Sequence, residues 1–385
     1  MSRWWSRGSG SRIAGGLPRR GVLRPSRFRA RVAGGFPREV RRVLALRGIV
    51  LPEREERVVR VDGGRVRFGE VPGCEVVADG VWLAPGLVDL HAHPGVVGRA
   101  EGFDVGLFRE QMAAHRDAGV LLVRAPGLPE GPGDEPELPR FLGSGRWLAT
   151  PGRFFAGAGR RVDESGLARA AVEEALGFSG WCKVIGDWLP GVPAVPLDVL
   201  TGVVEAVHEV GGRVAVHCQS AEGSRNAVLA GADSLEHGMF LDPDLLPVMA
   251  ERGTALVPTF SGFARTIAEL EGGPRGELRD WLVAGWESLR AIVPLAHRAG
   301  VRVLAGTDSE LHGAVAGEVE WLWRAGLPGD AAVGAASWAA REWLGAPGLV
   351  DGAPADLVAF DRDPTEDPSA LREPRRIVLR GRLVR

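Results

Sequence analysis

Eight short apolar runs, separated for the most part by stretches of helical periodicity, constrain the fold of this chain more than any other feature. They read WLAPGLVDLHAH, VLLVRA, RFFAGA, WCKVIG, RVAVHC, DSLEHG, ALVPTF and VRVLAGTD. Helical stretches such as LDVLTGVVEAVHEVGG and PDLLPVMAERG lie between them. Both close on glycine, which takes the left-handed conformation past a helix C-terminus without steric cost. Eight strands alternating with helices predict an α/β fold of the (β/α)8 TIM barrel type over residues 85–345. Two stretches, GLPEGPGDEPELPRF and SGFARTIAELEGGPRGELRDW, read as long loops near the barrel mouth.

The two ends of the chain carry a different pattern. VLALRGIVL, RVVRVDGGRVRFG and CEVVADG near the start are short strands with a hairpin signal at Asp62-Gly63-Gly64. ADLVAFD and RRIVLRGRLVR near the end look alike. Neither end is large enough to be a stable sheet alone. The expectation is one small β-sandwich built from residues 43–84 and 346–385. Residues 1–42 are arginine-rich, with one acid, Glu39, and many Gly, Ser and Pro. Such a segment cannot bury enough apolar surface to fold and is expected to be a disordered extension. No apolar run follows Arg19 and Arg20, which argues against a secretory signal. A solvated tail or a translated leader is favoured over a nucleic-acid-binding arm, and whether these residues belong to the mature protein stays open.

Composition narrows the function classes. A net charge of −2 gives no general attraction to nucleic acid or to an acidic membrane. No apolar run approaches the roughly 18 residues of a membrane span. Cys74, Cys182 and Cys218 are too few and too odd in number for a disulfide framework, which points to a reducing, cytoplasmic setting. The expected partner is a small-molecule substrate, with homo-oligomerisation left open.

Chemistry-bearing residues sit at the C-terminal ends of the strand candidates, where barrel enzymes carry their active sites. His91 and His93 end the first, and strand alternation points both imidazoles the same way. Lys183 lies on the fourth, His217 on the fifth, His237 on the sixth and Asp308 on the eighth. Lys183 is the one lysine among 47 Lys and Arg residues. Arginine stays protonated, whereas a buried lysine can lose its proton and act as a nucleophile. Imidazole and carboxylate together suit zinc and related divalent metals.

Other residues draw plainer readings. His115, His208 and His297 fall in the last turns of helical stretches, where a histidine complements the helix dipole. His312 is either a substrate contact or a solvated loop residue. Cys182 and Cys218 alternate away from the mouth as packing thiols. Asp89 is placed to support His91 by a hydrogen bond, while Glu236 is expected to face outward in a structural role. Arg160 or Arg161 would either bind a substrate carboxylate or be ordinary surface arginines. Trp188 either lines an apolar pocket or packs under its loop.

APGLVDLHAHPG, the strand-end lysine, VAVHCQS, SLEHGMF and LAGTDSE together resemble the amidohydrolase superfamily, as does the closing GLVDGAPADLVAFDRDP. The most similar branch is the imidazolonepropionase-like and Xaa-Pro-dipeptidase-like group, over about residues 43–385. The resemblance implies a hydrolase of an amide, cyclic amide or dipeptide C–N bond. It implies two divalent ions, zinc first, with manganese or iron as alternatives. By that likeness His91, His93 and Asp308 bind one ion and His217 and His237 the other. Lys183, carboxylated by CO2, would bridge them. Asp308 would shuttle the proton from a metal-bridging hydroxide to the leaving nitrogen. The third loop, AGAGRRVDESG, lacks the histidine that branch often carries, and the chain has no tyrosine, so a dipeptide substrate is not supported. Two alternatives remain. One is a mononuclear deaminase using His91, His93, His217 and Asp308. The other is a metal-free barrel that only binds a ligand.

Overall fold

The computed structural model describes residues 42–98, 102–128 and 133–385. The arginine-rich extension lies, except for Arg42, outside the described residues. The two chain ends meet in one seven-stranded sheet. Its order is Arg382–Leu383, Arg376–Leu379, Leu357–Phe360, Cys74–Pro85, Val43–Val50, Glu55–Asp62, Arg65–Arg67. The join between N- and C-terminal strands is antiparallel, with Leu357 opposite Pro85 and Phe360 opposite Trp82. Its apolar side gathers Leu46, Val59, Val66, Leu83, Leu357 and Val378. The turn at Asp62 to Arg65 holds Gly63 and Gly64 at φ of 57° and 78°, a conformation open to glycine at little cost.

The rest is an α/β arrangement of two parallel sheets. The first holds Leu87–Asp89, Val120–Ala125 and Arg140–Gly143. The second runs Arg160–Arg161, Trp147–Ala149, Trp181–Ile185, Arg213–Cys218, Ser234–His237, Ala255–Val257. Residues 302–308 link them. Leu304 N donates to Leu256 O at 2.9 Å, Leu90 N to Ala305 O at 3.0 Å and Asp308 N to His91 O at 2.6 Å. The side chains of Val88, Leu90, Leu122, Trp181, Ala215, Val257 and Leu304, drawn from both sheets and the linking segment, pack into one apolar cluster.

This differs from a single closed eight-stranded sheet in two places among the described residues. The third strand is not RFFAGA, which is turn and bend. It falls earlier, at Arg140–Gly143 and Trp147–Ala149, broken by Ser144 to Arg146, where Gly145 takes φ of 68°. The eighth, VRVLAGTD, makes one isolated bridge at Val303. Farther along it, Gly306 is pressed against His91, where a Cβ would stand 2.7 Å from that of His91.

Helices cover the outer side because their apolar residues recur on one stripe. Leu197–Glu209 buries Leu200, Val203, Val204 and Val207, spacings of three and four that align on one face. Leu246–Arg252 ends on Gly253 in the left-handed conformation, as its sequence predicted. The stretch 261–281, expected to be a loop, is instead mostly helical. Phe260–Glu271 is a helix and Glu277–Arg298 begins within it. The recurrence of Phe260, Phe263, Ile267 and Leu270 explains this, since all four reach the core. No helix among the described residues is long and apolar enough to cross a membrane.

Candidate metal centre

The strand ends open onto a cavity of about 770 Å³. His91, His93, Lys183, His217, His237 and Asp308 all line it. Strand Leu87–Asp89 stops short of the first two, so both histidines sit in the loop just beyond it. Their rings still meet edge to face at 5.1 Å. His91 and His237 stand 5.3 Å apart, and His217 and His237 4.5 Å. Asp308 Oδ1 is 3.3 Å from His93 Nε2 and 3.8 Å from His91 Nε2. His91, His237 and Asp308 each offer a ligand atom within 4.8 Å of the others.

The backbone is bent to achieve this. His237, Thr259 and Asp308 take φ of 69°, 55° and 44°. Each non-glycine residue held there costs about 1–3 kcal/mol, and such residues concentrate at functional sites. At His237 the left-handed turn breaks strand alternation. Ser234 and Glu236 are buried within, yet His237 also reaches the cavity.

That break corrects the reading of Glu236. It does not face outward; it is fully buried, with Oε2 2.6 Å from His91 Nδ1 and Oε1 2.6 Å from Arg124 Nη2. Ser234 also donates to it. Burial alone would raise the Glu236 carboxyl, but Arg124, Lys183 and His91 overcome this and hold it well below its ordinary range. Arg124 is fully buried too. Its guanidinium lies 4.7 Å from the Trp181 ring and 5.4 Å from the Trp343 ring, and Nε donates to Leu90 O at 2.8 Å. A sequence signal existed: Arg and Glu inside apolar strands are almost never fully buried unless paired. Asp89 supports His91 differently from the expectation. It accepts from the His91 backbone N–H at 3.0 Å and from Thr307 Oγ1 at 2.7 Å, not from the imidazole.

These partners set the imidazoles. With Nδ1–H of His91 given to an anionic Glu236, its Nε2 keeps a lone pair on the Asp308 side. Thr259 donates its hydroxyl to Pro258 O and so accepts from His237 Nδ1 at 2.7 Å, leaving His237 Nε2 as the acceptor. Burial pushes His91 down to about 4 and His217 to about 3, and holds His237 well below its usual value. All three imidazoles are therefore neutral at pH 7. Burial also pushes Lys183 down to about 8, against the pull of Glu236. Lys183 Nζ, His217 Nε2 and His93 Nδ1 are buried without a hydrogen-bond partner among the described residues. Buried polar atoms are normally paired, so these unmatched donors and lone pairs in one cavity mark a place for a ligand. A set of neutral imidazoles, a carboxylate and a deprotonatable amine fits divalent metal ions.

The remaining candidates separate. His115, His208 and His297 lie in last helical turns as expected. His115 is also fully buried, with Nε2 3.1 Å from His312 Nδ1, so His312 is half-buried against it and does not line the cavity. Cys182 and Cys218 are buried in the outer apolar core. Arg160 pairs with Glu173 at 2.6 Å and Glu174 at 3.1 Å, Arg161 donates to the carbonyls of Arg153 and Phe155, and neither lines the cavity. Trp188 does line it, beside Trp147, Phe154 and Phe155, which the sequence reading missed.

Comparison with known proteins agrees with this picture. The amidohydrolase family model matches residues 139–384. An uncharacterized protein of Mycobacterium tuberculosis is 38% identical over 356 residues, covering 88% of this chain and 95% of that one. A crystal structure of a Xaa-Pro dipeptidase with bound methionine superposes with a TM-score of 0.74 at 22% identity, covering 89% of this chain and 99% of that one. Aspergillus niger ochratoxinase is 28% identical over 193 residues, 47% of this chain and 39% of its own length. Its crystal structure gives a TM-score of 0.75 at 22% identity, covering 90% and 96%. The chain belongs to the amidohydrolase family, and its class is hydrolase.

Proposed function

We propose that this protein is a metal-dependent hydrolase of a C–N bond in an amide, cyclic amide or dipeptide. The observation that carries the reading is that His91, His93, Lys183, His217, His237 and Asp308 line one cavity, in which Lys183 Nζ and His217 Nε2 are buried without a hydrogen-bond partner among the described residues. His91, His93 and Asp308 would hold one divalent ion, zinc before manganese or iron, and His217 and His237 a second. Bound there, the ions would supply Lewis acidity and an acidified water as nucleophile. Lys183 would lie between them as a carbamate. Its depressed pKa raises the neutral fraction near pH 7, and the neutral Nζ would add to the carbon of CO2 with loss of one proton. Asp308 would accept the proton of the attacking water and pass it to the leaving nitrogen, giving a carboxylate and an amine. Glu236 and Arg124 would fix the ring of His91. A barrel-type α/β domain at 85–345, its strands split between two parallel sheets, with a small β-domain from 43–84 and 346–385, is the domain division that accompanies this reading.

The test is metal analysis of the purified protein with a screen of N-acyl amino acids, dipeptides, lactams and lactones. Two equivalents of metal per chain and turnover of a C–N substrate are expected. One equivalent with release of ammonia would favour the deaminase alternative. Absence of bound metal, with no activity gained on adding zinc or manganese, would leave a binding protein.

A further inference from the structure

We propose that Gln219 and the rings of Trp147, Phe154, Phe155 and Trp188 form a substrate subsite that takes a secondary amide bearing an aromatic or similarly bulky apolar group. The proposal rests on the amide-hydrolase reading and narrows it to one substrate class.

Gln219 follows His217 by two residues on the loop past the strand Arg213–Cys218. Its backbone is anchored: the N–H donates to Asp187 Oδ1 at 2.9 Å, and the same carboxylate takes Ser220 N at 2.8 Å. The side chain lines the cavity, is 4% exposed, and its Oε1 is buried without a hydrogen-bond partner among the described residues. A buried acceptor left unpaired on an anchored residue that lines a cavity calls for a donor from the ligand. A secondary amide carries that donor, its N–H, beside the scissile carbonyl. The tertiary amide that precedes proline has none there.

The apolar half of the subsite adjoins the imidazoles. Trp147 stands 5.1 Å from His93 and Trp188 5.8 Å from His217. Phe154 lies 5.7 Å from Trp147 and 5.4 Å from Trp188, with Phe155 4.9 Å from Trp188. This spacing suits one more ring packed edge to face. At the rim Leu311 lines the cavity yet is 73% exposed, so a bulky apolar group would cover it. Among the described lining residues Arg265 is the one guanidinium, and it is exposed and paired with Glu269 at 3.0 Å. Lys183, the buried amine of the lining, belongs to the proposed metal centre, so ring burial and not capture of a carboxylate by a guanidinium is the recognition the rest of the cavity offers.

The experiment uses metal-loaded protein and three uncharged amides: N-benzylphenylacetamide, its N-methyl derivative and N-propylacetamide. Binding is read by calorimetry and turnover by amine release. The parent should bind the aromatic secondary amide about tenfold or more tighter than either of the others. Gln219→Leu should erase the preference for the N–H compound, and Gln219→Glu, which keeps an acceptor, should retain it. Phe154→Ala should weaken the aromatic ligands and leave N-propylacetamide unchanged. Equal affinity of the parent for the N-methyl compound, an unaltered ratio in Gln219→Leu, or uniform weakening in Phe154→Ala would overturn the subsite. Selective binding without turnover of any amide would instead sink the hydrolase reading and leave the subsite standing. Turnover without selectivity would do the reverse.

Discussion

Glu236 Oε2 lies 2.6 Å from His91 Nδ1, and both side chains are sealed from solvent. The other oxygen of the same carboxylate holds Arg124, so one buried anion joins a tryptophan-stacked guanidinium to an imidazole of the cavity. Glu236→Gln keeps the volume and removes the charge. Removing one partner of a buried ion pair strands the other, and the expected loss is about 3–5 kcal/mol in urea unfolding. Metal affinity should fall by roughly 10–100-fold, because the His91 ring loses its anionic acceptor. Unchanged stability and metal content would show that Arg124 and His91 need no anion between them.

Lys183→Arg keeps the charge of an unmodified, protonated lysine but cannot form a carbamate. Metal content should drop below two equivalents, with turnover reduced by orders of magnitude and the fold intact by circular dichroism. Lys183→Ala should behave likewise and regain part of its metal on addition of short carboxylic acids. A Lys183→Arg protein holding two ions and turning over like the parent would end the bridging role.

Gly262 sits where a Cβ would meet Asp308 O at 2.7 Å. Gly262→Ala should therefore displace Asp308 and reduce kcat by about tenfold to a hundredfold, since small misplacements of a reacting group are that costly. Gly202, within the helix Leu197–Glu209, has open space around it. Gly202→Ala is the matched control and should stabilise the protein by about 0.4–1 kcal/mol without altering kcat. Equal kinetics in the two variants would refute the steric argument.

Burial first, and His312 second, hold His115 down to about 3, against an ordinary value of 6.5. The unfolded chain takes up a proton below pH 6.5 that the folded chain refuses until about pH 3. Stability should thus be full above pH 6.5 and decline as pH falls through that window. The slope is roughly 1.4 kcal/mol per pH unit for each such proton. Urea midpoints between pH 4 and 8 should decline less steeply for His115→Gln than for the parent. Parallel slopes would show that His115 does not contribute to acid sensitivity.

Deleting residues 354–385 removes the strand Leu357–Phe360 and uncovers an edge of Cys74–Pro85. Unpaired edges recruit other chains, so the truncated protein should aggregate, as seen by size-exclusion chromatography. A soluble, metal-binding truncation would mean that the two ends are independent.

The sequence by itself marked the residues that the structure brings to one cavity. His91, His93, Lys183, His217, His237 and Asp308 were legible because a donor residue at the end of an apolar run is a local pattern. The pairing of the chain ends followed from the same local signals, since neither end has strands enough to stand alone. Tertiary structure decided the rest. The third strand moved from RFFAGA to the broken pair Arg140–Gly143 and Trp147–Ala149, because strand choice depends on what packs beside it. Glu236 faces inward with Ser234 by strand alternation, and the left-handed φ of His237 brings that next side chain to the cavity as well, which alternation counted back from His237 cannot register. Trp188 and Gln219 lie far along the chain from Trp147, Phe154 and Phe155, and only tertiary closure brings all five to one cavity. Periodicity records which face of its own element a residue occupies. Which side chains from other elements stand opposite is settled when the chain closes on itself.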